Sequence, residues 1–349
     1  KETERVSRES DDEQKSQVIR TSLQGKGDSS VCSLIASLAI EAADRLVEME
    51  GGDDLERMVV KRLQIGEGAV MDSSLVNGLM LLKSRVDANS PENSDGGVVA
   101  IIDGGLEQAK LETDASIEVS SIGILQEFHE RSRKNLQKQV AHLSSLGVDL
   151  LVVRDGIDDE AVTQLTKAGI VAYRRFERSD MDLLSRITGA RPTRSVSGLG
   201  ESDLGTYSNR VEERIADVNH TLIEGDGGGM TLVARGSSPA VREEAIRIFD
   251  DAIGVAHRLN SRPGVLPGGG AIQSHLARHL RSFSQSQSGR EQLAIEAYAS
   301  ALESIPRILA ENAGRDPVEI ILSLSADQRE SGAWMGFDQQ SGENCDMGE

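Results

Sequence analysis

The stretch Thr231–Ala271, TLVARGSSPAVREEAIRIFDDAIGVAHRLNSRPGVLPGGGA, decides how this chain is read. TLVARG is a short β-branched run closed by Gly236, which predicts a strand. Ser237 and Ser238 then offer a helix N-cap, Pro239 stands where a first helical turn tolerates it, and Glu243 and Glu244 follow. Ile246, Phe249, Ile253 and Ala256 recur at helical spacing, which predicts one buried stripe. Asp251 falls almost opposite that stripe, and Asp250 lies at its margin. Pro267-Gly268-Gly269-Gly270 comes after the helix, a run with no side chain to keep a ligand off the backbone. An acidic helix followed by a triple glycine points to a nucleotide cleft, although composition alone does not decide it.

Outside that stretch, 349 residues are enough for two or three domains with real cores. The formal charge of −19 repels phosphate over most of the surface, so nucleic acid is excluded as an expected partner. Lysine is scarce beside arginine and acidic residues are spread along the chain, a pattern suited to a cytoplasm of high salt and a halophilic source. Cys32 and Cys345 are far apart and match no metal or redox spacing, so a reducing cytoplasm is the simple expectation. No run of about 18 apolar residues occurs, so no membrane partner is expected. A chain that opens on Lys1 and stops at CDMGE reads as an internal piece of a longer protein.

In chain order, a turn-like Thr21–Gly27 breaks two helical stretches, and short apolar pieces with glycines follow to Val86. Gly25-Lys26 is not a Walker A loop, since no Ser or Thr follows the lysine; by itself it reads as a surface turn. Residues 87–97 read as a loop, VVAIIDGG as a buried strand and LETDASIEV as a second one. A long helix then ends at Gly147. DLLVVRDG, IVAYRRF and the helices after them alternate as a parallel α/β core does. Gly225–Gly229 imitates a phosphate cradle, but it precedes a strand and reads as a loose hairpin turn. From Gln273 to Arg329 the chain reads as helical, with Pro306 predicting a kink or a boundary. His275 and His279 share a helix face, with no further ligand nearby to make a metal site.

These segments together resemble the group II chaperonins, the archaeal thermosome and the eukaryotic cytosolic ring chaperonins. Val233–Gly236, Asp251-Ala252-Ile253 and Val265–Gly270 match the family's LLRG-type strand, DAL-type aspartate and GGG loop. Thr21–Gly27 matches its T-S-x-x-G-K-G segment, and Ser74–Gly78, Gly156–Asp159, Ser179–Met181 and Thr188–Ala190 continue the match. So do Ile305-Pro306, Asn312–Gly314, Gly336–Asp338 and Asp346-Met347. RLQIGEG departs from a basic family segment, and the G-D-G-T-T phosphate loop is not among these residues.

The resemblance implies an α/β plus α-helical chaperonin subunit in three domains. Residues 1–10 and 267–349 would be equatorial, 11–80 and 232–266 intermediate, and 81–231 apical. The helix Leu125–Leu146 would carry the built-in lid, exposing Ile122, Ile124, Leu125 and Phe128. The implied activity is ATP hydrolysis with Mg²⁺, driving the folding of unfolded polypeptides inside a double ring of such subunits in the cytoplasm. Asp251 would activate the attacking water, Lys26 would touch the γ-phosphate, and Gly269, Gly270, Gly336 and Asp338 would hold ribose and adenine. No metal ligand is expected in this piece, which would hold half a nucleotide site and be inactive alone. The competing expectation is a divergent subunit that binds clients or completes a ring without hydrolysis. A metabolic α/β enzyme is excluded because no acid–base pair or dinucleotide fingerprint is legible.

Overall fold

A computed structural model describes residues 2–48, 60–107 and 122–348, without the side chains of residue 48 and of 122–129. The elements in chain order begin with α1 (Glu2–Val6), β1 (Arg8–Glu9), α2 (Asp12–Ser22), α3 (Ser29–Glu48), β2 (Val60–Ile65), β3 (Ser74–Asn77), β4 (Leu79–Leu81), β5 (Asn93–Ser94) and β6 (Gly97–Ile102). Then come α4 (Ile122–Ser145), β7 (Leu150–Val153), α5 (Asp159–Lys167), β8 (Val171–Tyr173), α6 (Arg178–Thr188), β9 (Gly205–Tyr207), β10 (Asn209–Ile215), β11 (Val218–Glu224) and β12 (Met230–Arg235). The chain ends with α7 (Pro239–Ser261), β13 (Gly264–Val265), α8 (Ala271–Ser284), α9 (Arg290–Leu302), α10 (Ser304–Asn312), α11 (Pro317–Glu330), β14 (Met335–Asp338) and β15 (Glu343–Asp346). Two compact units result, one of Lys1–Gln17 with Arg258–Glu349 and one of Val18–His257.

The larger unit holds the predicted parallel core. β8, β7 and β6 lie side by side and parallel, and β9 closes the edge antiparallel to β6. Successive strand residues point to opposite faces, so each strand feeds two cores. Val99, Ile101, Leu150, Val152 and Val171 pack with Met181, Leu184 and Ile187 of α6. Ala100, Ile102, Leu151, Val153 and Ala172 pack with Leu136, Val140 and Leu143 of α4 and with Ala161 and Leu165 of α5. Burial on both faces explains why these strands read as unbroken apolar runs.

Two further sheets belong to the same unit. β12, the TLVARG strand, is central in the order β2-β12-β3, parallel to β2 and antiparallel to β3. The order β4-β11-β10-β5 forms an antiparallel sheet around a hairpin over 209–224. The first strand of that hairpin, NRVEERI, carries the consecutive charged residues Glu212, Glu213 and Arg214, so no apolar alternation marks it in the sequence.

Gly225–Gly229 is not a hairpin turn: it carries the chain from β11 in one sheet to β12 in another. Its glycines instead permit close approach to the end of α6. Gly227 N donates to the Ile187 carbonyl at 2.9 Å, and a Cβ on Gly227 would run into the Arg186 carbonyl. A second correction concerns α7. Its stripe is Ala245, Ile248, Phe249, Ala252, Ile253 and Ala256, all buried, while Ile246 is half-buried at the margin.

In the smaller unit β1 pairs with β13, and the β14–β15 hairpin packs with α8 and α11. The predicted helical tract is four helices, with the boundary near Pro306 falling between α9 and α10. LETDASIEV and the side chains of Ile122, Ile124, Leu125 and Phe128 lie outside the described residues. No helix among the described residues is long and apolar enough to cross a membrane.

Candidate functional site

In the larger unit the candidate residues are set by α7 and by the turn between α2 and α3. Val241 N donates to Ser238 Oγ at 3.3 Å, so the N-cap read from the sequence starts α7. With Phe249 and Ile248 fully buried, Asp251 is left on the polar side of the helix. The turn is anchored by buried Leu23, whose carbonyl accepts from Lys26 N at 3.1 Å, and Gly25 takes a left-handed φ of 78°. Gly27 faces Ile248 of α7. Asp28 accepts from the Ser30 hydroxyl and from Ser30 N, which starts α3; these bonds, the hydroxyl first, hold its carboxyl below the usual range.

This turn brings Lys26 Nζ to 2.8 Å from Asp251 Oδ2, across 225 positions of sequence. Both side chains keep solvent access, at 32% and 42%. One turn back on α7, Arg247 makes a two-pronged pair with Glu244, at 2.6 and 2.9 Å. That contact, more than any other, holds the Glu244 carboxyl below its usual range. Asp250 is engaged differently: it accepts from Arg62 Nε and Nη2 of β2 at 2.9 and 2.6 Å. The same guanidinium lies 5.8 Å from the Phe249 ring centroid. Ion pairs this exposed contribute about 0–1 kcal/mol each, so they are readily exchanged for other partners.

In the smaller unit, Gly269 and Gly270 turn the chain into α8 with left-handed φ of 58° and 72°. Phe337 N donates to the Gly269 carbonyl at 2.9 Å. A Cβ on Gly269 would sit 2.7 Å from the Phe337 carbonyl oxygen, and one on Gly336 would sit 2.8 Å from that of Gly268. Only glycine therefore lets the two segments meet, with Met347 packed over both. The Asp338 carboxylate accepts from Gln340 N and Ser341 N, each at 3.0 Å. The Gln340 amide first, then the Ser341 side chain and amide, hold its carboxyl below the usual range.

Of the candidates read from sequence, Lys26 and Asp251 thus meet in one unit and Gly269, Gly270, Gly336 and Asp338 in the other. Sequence reasoning gave no site role to Arg62, Glu244 or Arg247. Arg247 had a legible signal, standing four residues before Asp251 on one helix face; Arg62 had none. His275 lies 3.3 Å from Glu2 and accepts from Arg278 at 3.2 Å. No group of three His, Cys, Asp or Glu among the described residues is placed to hold a metal ion.

The whole chain, residues 1–349, matches the model of the TCP-1/cpn60 chaperonin family. It is 35% identical over 342 residues to a thermosome subunit of Methanopyrus kandleri, covering 97% of this chain and 62% of that one. Thermosome subunit 1 of Haloferax volcanii is 36% identical over 343 residues, covering 98% of this chain and 61% of the relative. The chain therefore spans about three fifths of the length of these relatives. Among solved structures, the open-state monomer of a group II chaperonin from Methanococcoides burtonii superposes with a TM-score of 0.74 at 26% identity, covering 99% of this chain and 81% of the other. With thermosome motifs in its sequence and a group II chaperonin fold in its α/β and helical parts, the chain belongs to the TCP-1/cpn60 chaperonin family.

Proposed function

We propose that this chain is part of an ATP-hydrolysing chaperonin subunit that encloses and folds unfolded polypeptides in a cytoplasmic double ring with other such subunits. In this reading residues 11–80 and 232–266 are the intermediate domain, 81–231 the apical domain with its α4 protrusion, and 1–10 and 267–349 belong to the equatorial domain. ATP is the substrate. Asp251 orients and deprotonates the water that attacks the γ-phosphate, and the proton passes to its carboxylate as ADP and phosphate form. Lys26 meets the γ-phosphate, and Gly269, Gly270 and the Gly336–Asp338 strand lie against ribose and adenine.

The observation that carries this reading is the 2.8 Å contact between Lys26 and Asp251. An ammonium this close to the carboxylate is within reach of the phosphate that the carboxylate's water would attack. The described residues do not by themselves form a metal site, so no step here runs through Mg²⁺. Such ions are commonly held by one or two carboxylates together with the substrate's phosphates.

The test uses the full-length protein and reads ATP affinity beside single-turnover hydrolysis. Asp251→Ala should bind ATP nearly as the parent does and hydrolyse it roughly a hundredfold more slowly or worse. Lys26→Ala should retain more hydrolysis than Asp251→Ala while losing the domain rotation that ATP drives. Wild-type hydrolysis in Asp251→Ala would overturn its assignment as the catalytic carboxylate. A full-length parent that binds ATP without hydrolysing it would leave the non-hydrolysing subunit as the reading.

A further inference from the structure

Helix α11 buries Ile321, Leu324 and Gln328 along one side, at the spacing of a helix face. An amide at such a position is unusual unless its polar atoms are satisfied. Gln328 is 3% exposed, and its Nε2 donates to two backbone carbonyls, Ala271 O and Met335 O, each at 2.9 Å. Because both partners are carbonyls, only the NH₂ end of the amide fits there.

The two carbonyls are not arbitrary. Ala271 directly follows Gly270, and Met335 directly precedes Gly336. One side chain thus ties together the ends of the two segments that Phe337 N and Gly269 O join at 2.9 Å. The β14–β15 hairpin has a separate hold on α11: Asn344 Nδ2 donates to Ser323 Oγ at 3.0 Å and to Asp327 Oδ2 at 2.7 Å. The hairpin can therefore stay on α11 without Gln328, whereas the tie between Ala271 and Met335 runs through Gln328. Its Oε1 is buried and has no partner among the described residues.

We propose that Gln328 is a positioning residue, whose amide sets the spacing of the Gly269-Gly270 turn and the Gly336–Asp338 strand for the sugar and base of a nucleotide. This rests on the reading of those segments as the ribose and adenine side of the site. Gln328 acts on binding and not on the chemical step, because its two hydrogen bonds go to the segments read as the ribose and adenine side.

The experiment uses the full-length protein with ATP as the probe. Gln328→Met keeps nearly the same volume and removes both donors. Its ATP dissociation constant should rise about tenfold, the loss expected when buried hydrogen bonds are removed. Single-turnover hydrolysis at saturating ATP should stay within about twofold of the parent, since the chemical step does not use this amide. If Gln328→Met does not fold, Gln328→Glu keeps the size and sets a carboxyl against the same two carbonyls; the same rise in dissociation constant is expected. An unchanged affinity in a folded variant overturns the inference. So does a parallel fall in affinity and saturated rate, which marks a structural role alone. A parent protein that binds no ATP removes the underlying reading of the glycine segments instead.

Discussion

Asp250 and Asp251 are neighbours on α7, yet the helix sends their carboxylates to different partners. Asp250 lies beside the buried stripe and accepts from Arg62, whose guanidinium also lies over the Phe249 ring. Asp251, a further 100° around the helix, meets Lys26 on a turn closed by Gly25 and Gly27. The first contact joins α7 to strand β2. The second joins α7 to a glycine-bordered turn; the two pairs keep similar solvent access, so the segment each carboxylate meets separates them and exposure does not. Identical side chains one position apart thus take different partners because of the segment each one faces.

The largest effect should come from beneath both carboxylates. Phe249 is fully buried, so Phe249→Ala should cost about 3–5 kcal/mol in denaturant unfolding. A loss under about 1 kcal/mol would mean that α7 is not seated by this stripe and that the two carboxylates are not held apart.

Next in size is the contrast in turnover. In the full-length protein Asp250→Ala should hydrolyse ATP within about twofold of wild type, against the roughly hundredfold loss expected for Asp251→Ala. The reverse pattern, with Asp250→Ala inactive, would shift the assignment by one residue.

A double-mutant cycle on Arg62 and Asp250 should give a coupling of about 0.2–1 kcal/mol, as exposed pairs do. Molar salt should reduce it, since the pair is screened. A coupling that persists unchanged in salt would show the pair to be more shielded than its geometry implies.

The smallest effect concerns Glu244, whose carboxyl Arg247 holds below the usual range. A depressed carboxyl adds stability above its unfolded value of about 4.3 and loses it as pH falls through the folded one. Glu244→Gln should therefore show a slightly shallower drop in Tm than wild type on acidification from about pH 5 to pH 3. An unchanged slope would mean that the Glu244–Arg247 pair adds nothing in solution.

Much of this arrangement was legible in the residues because it is local. The strand–helix alternation over 150–188, the cap at Ser238 and the boundary near Pro306 each depend on a few neighbouring side chains. The hairpin over 209–224 was not legible. Its first strand puts three charged residues in a row and its second, VNHTLIE, shows no strict alternation, and its partners β4 and β5 lie more than a hundred residues away. Gly225–Gly229 misled for a related reason: glycines needed for approach to the end of α6 look like glycines needed for a turn.

Within the candidate site, sequence by itself determined which residues carry charge and which glycines leave the backbone open. It also determined the period that turns Asp251 away from the core. Tertiary structure decided the partners. Arg62 reaches Asp250 from β2, which pairs with β12 rather than with any neighbour in sequence, and Gln328 matters only because α11 passes both glycine segments. The reason is physical: helix and strand periods arise from bonds along the chain, whereas ion pairs and amide ties form between segments whose approach is set by packing.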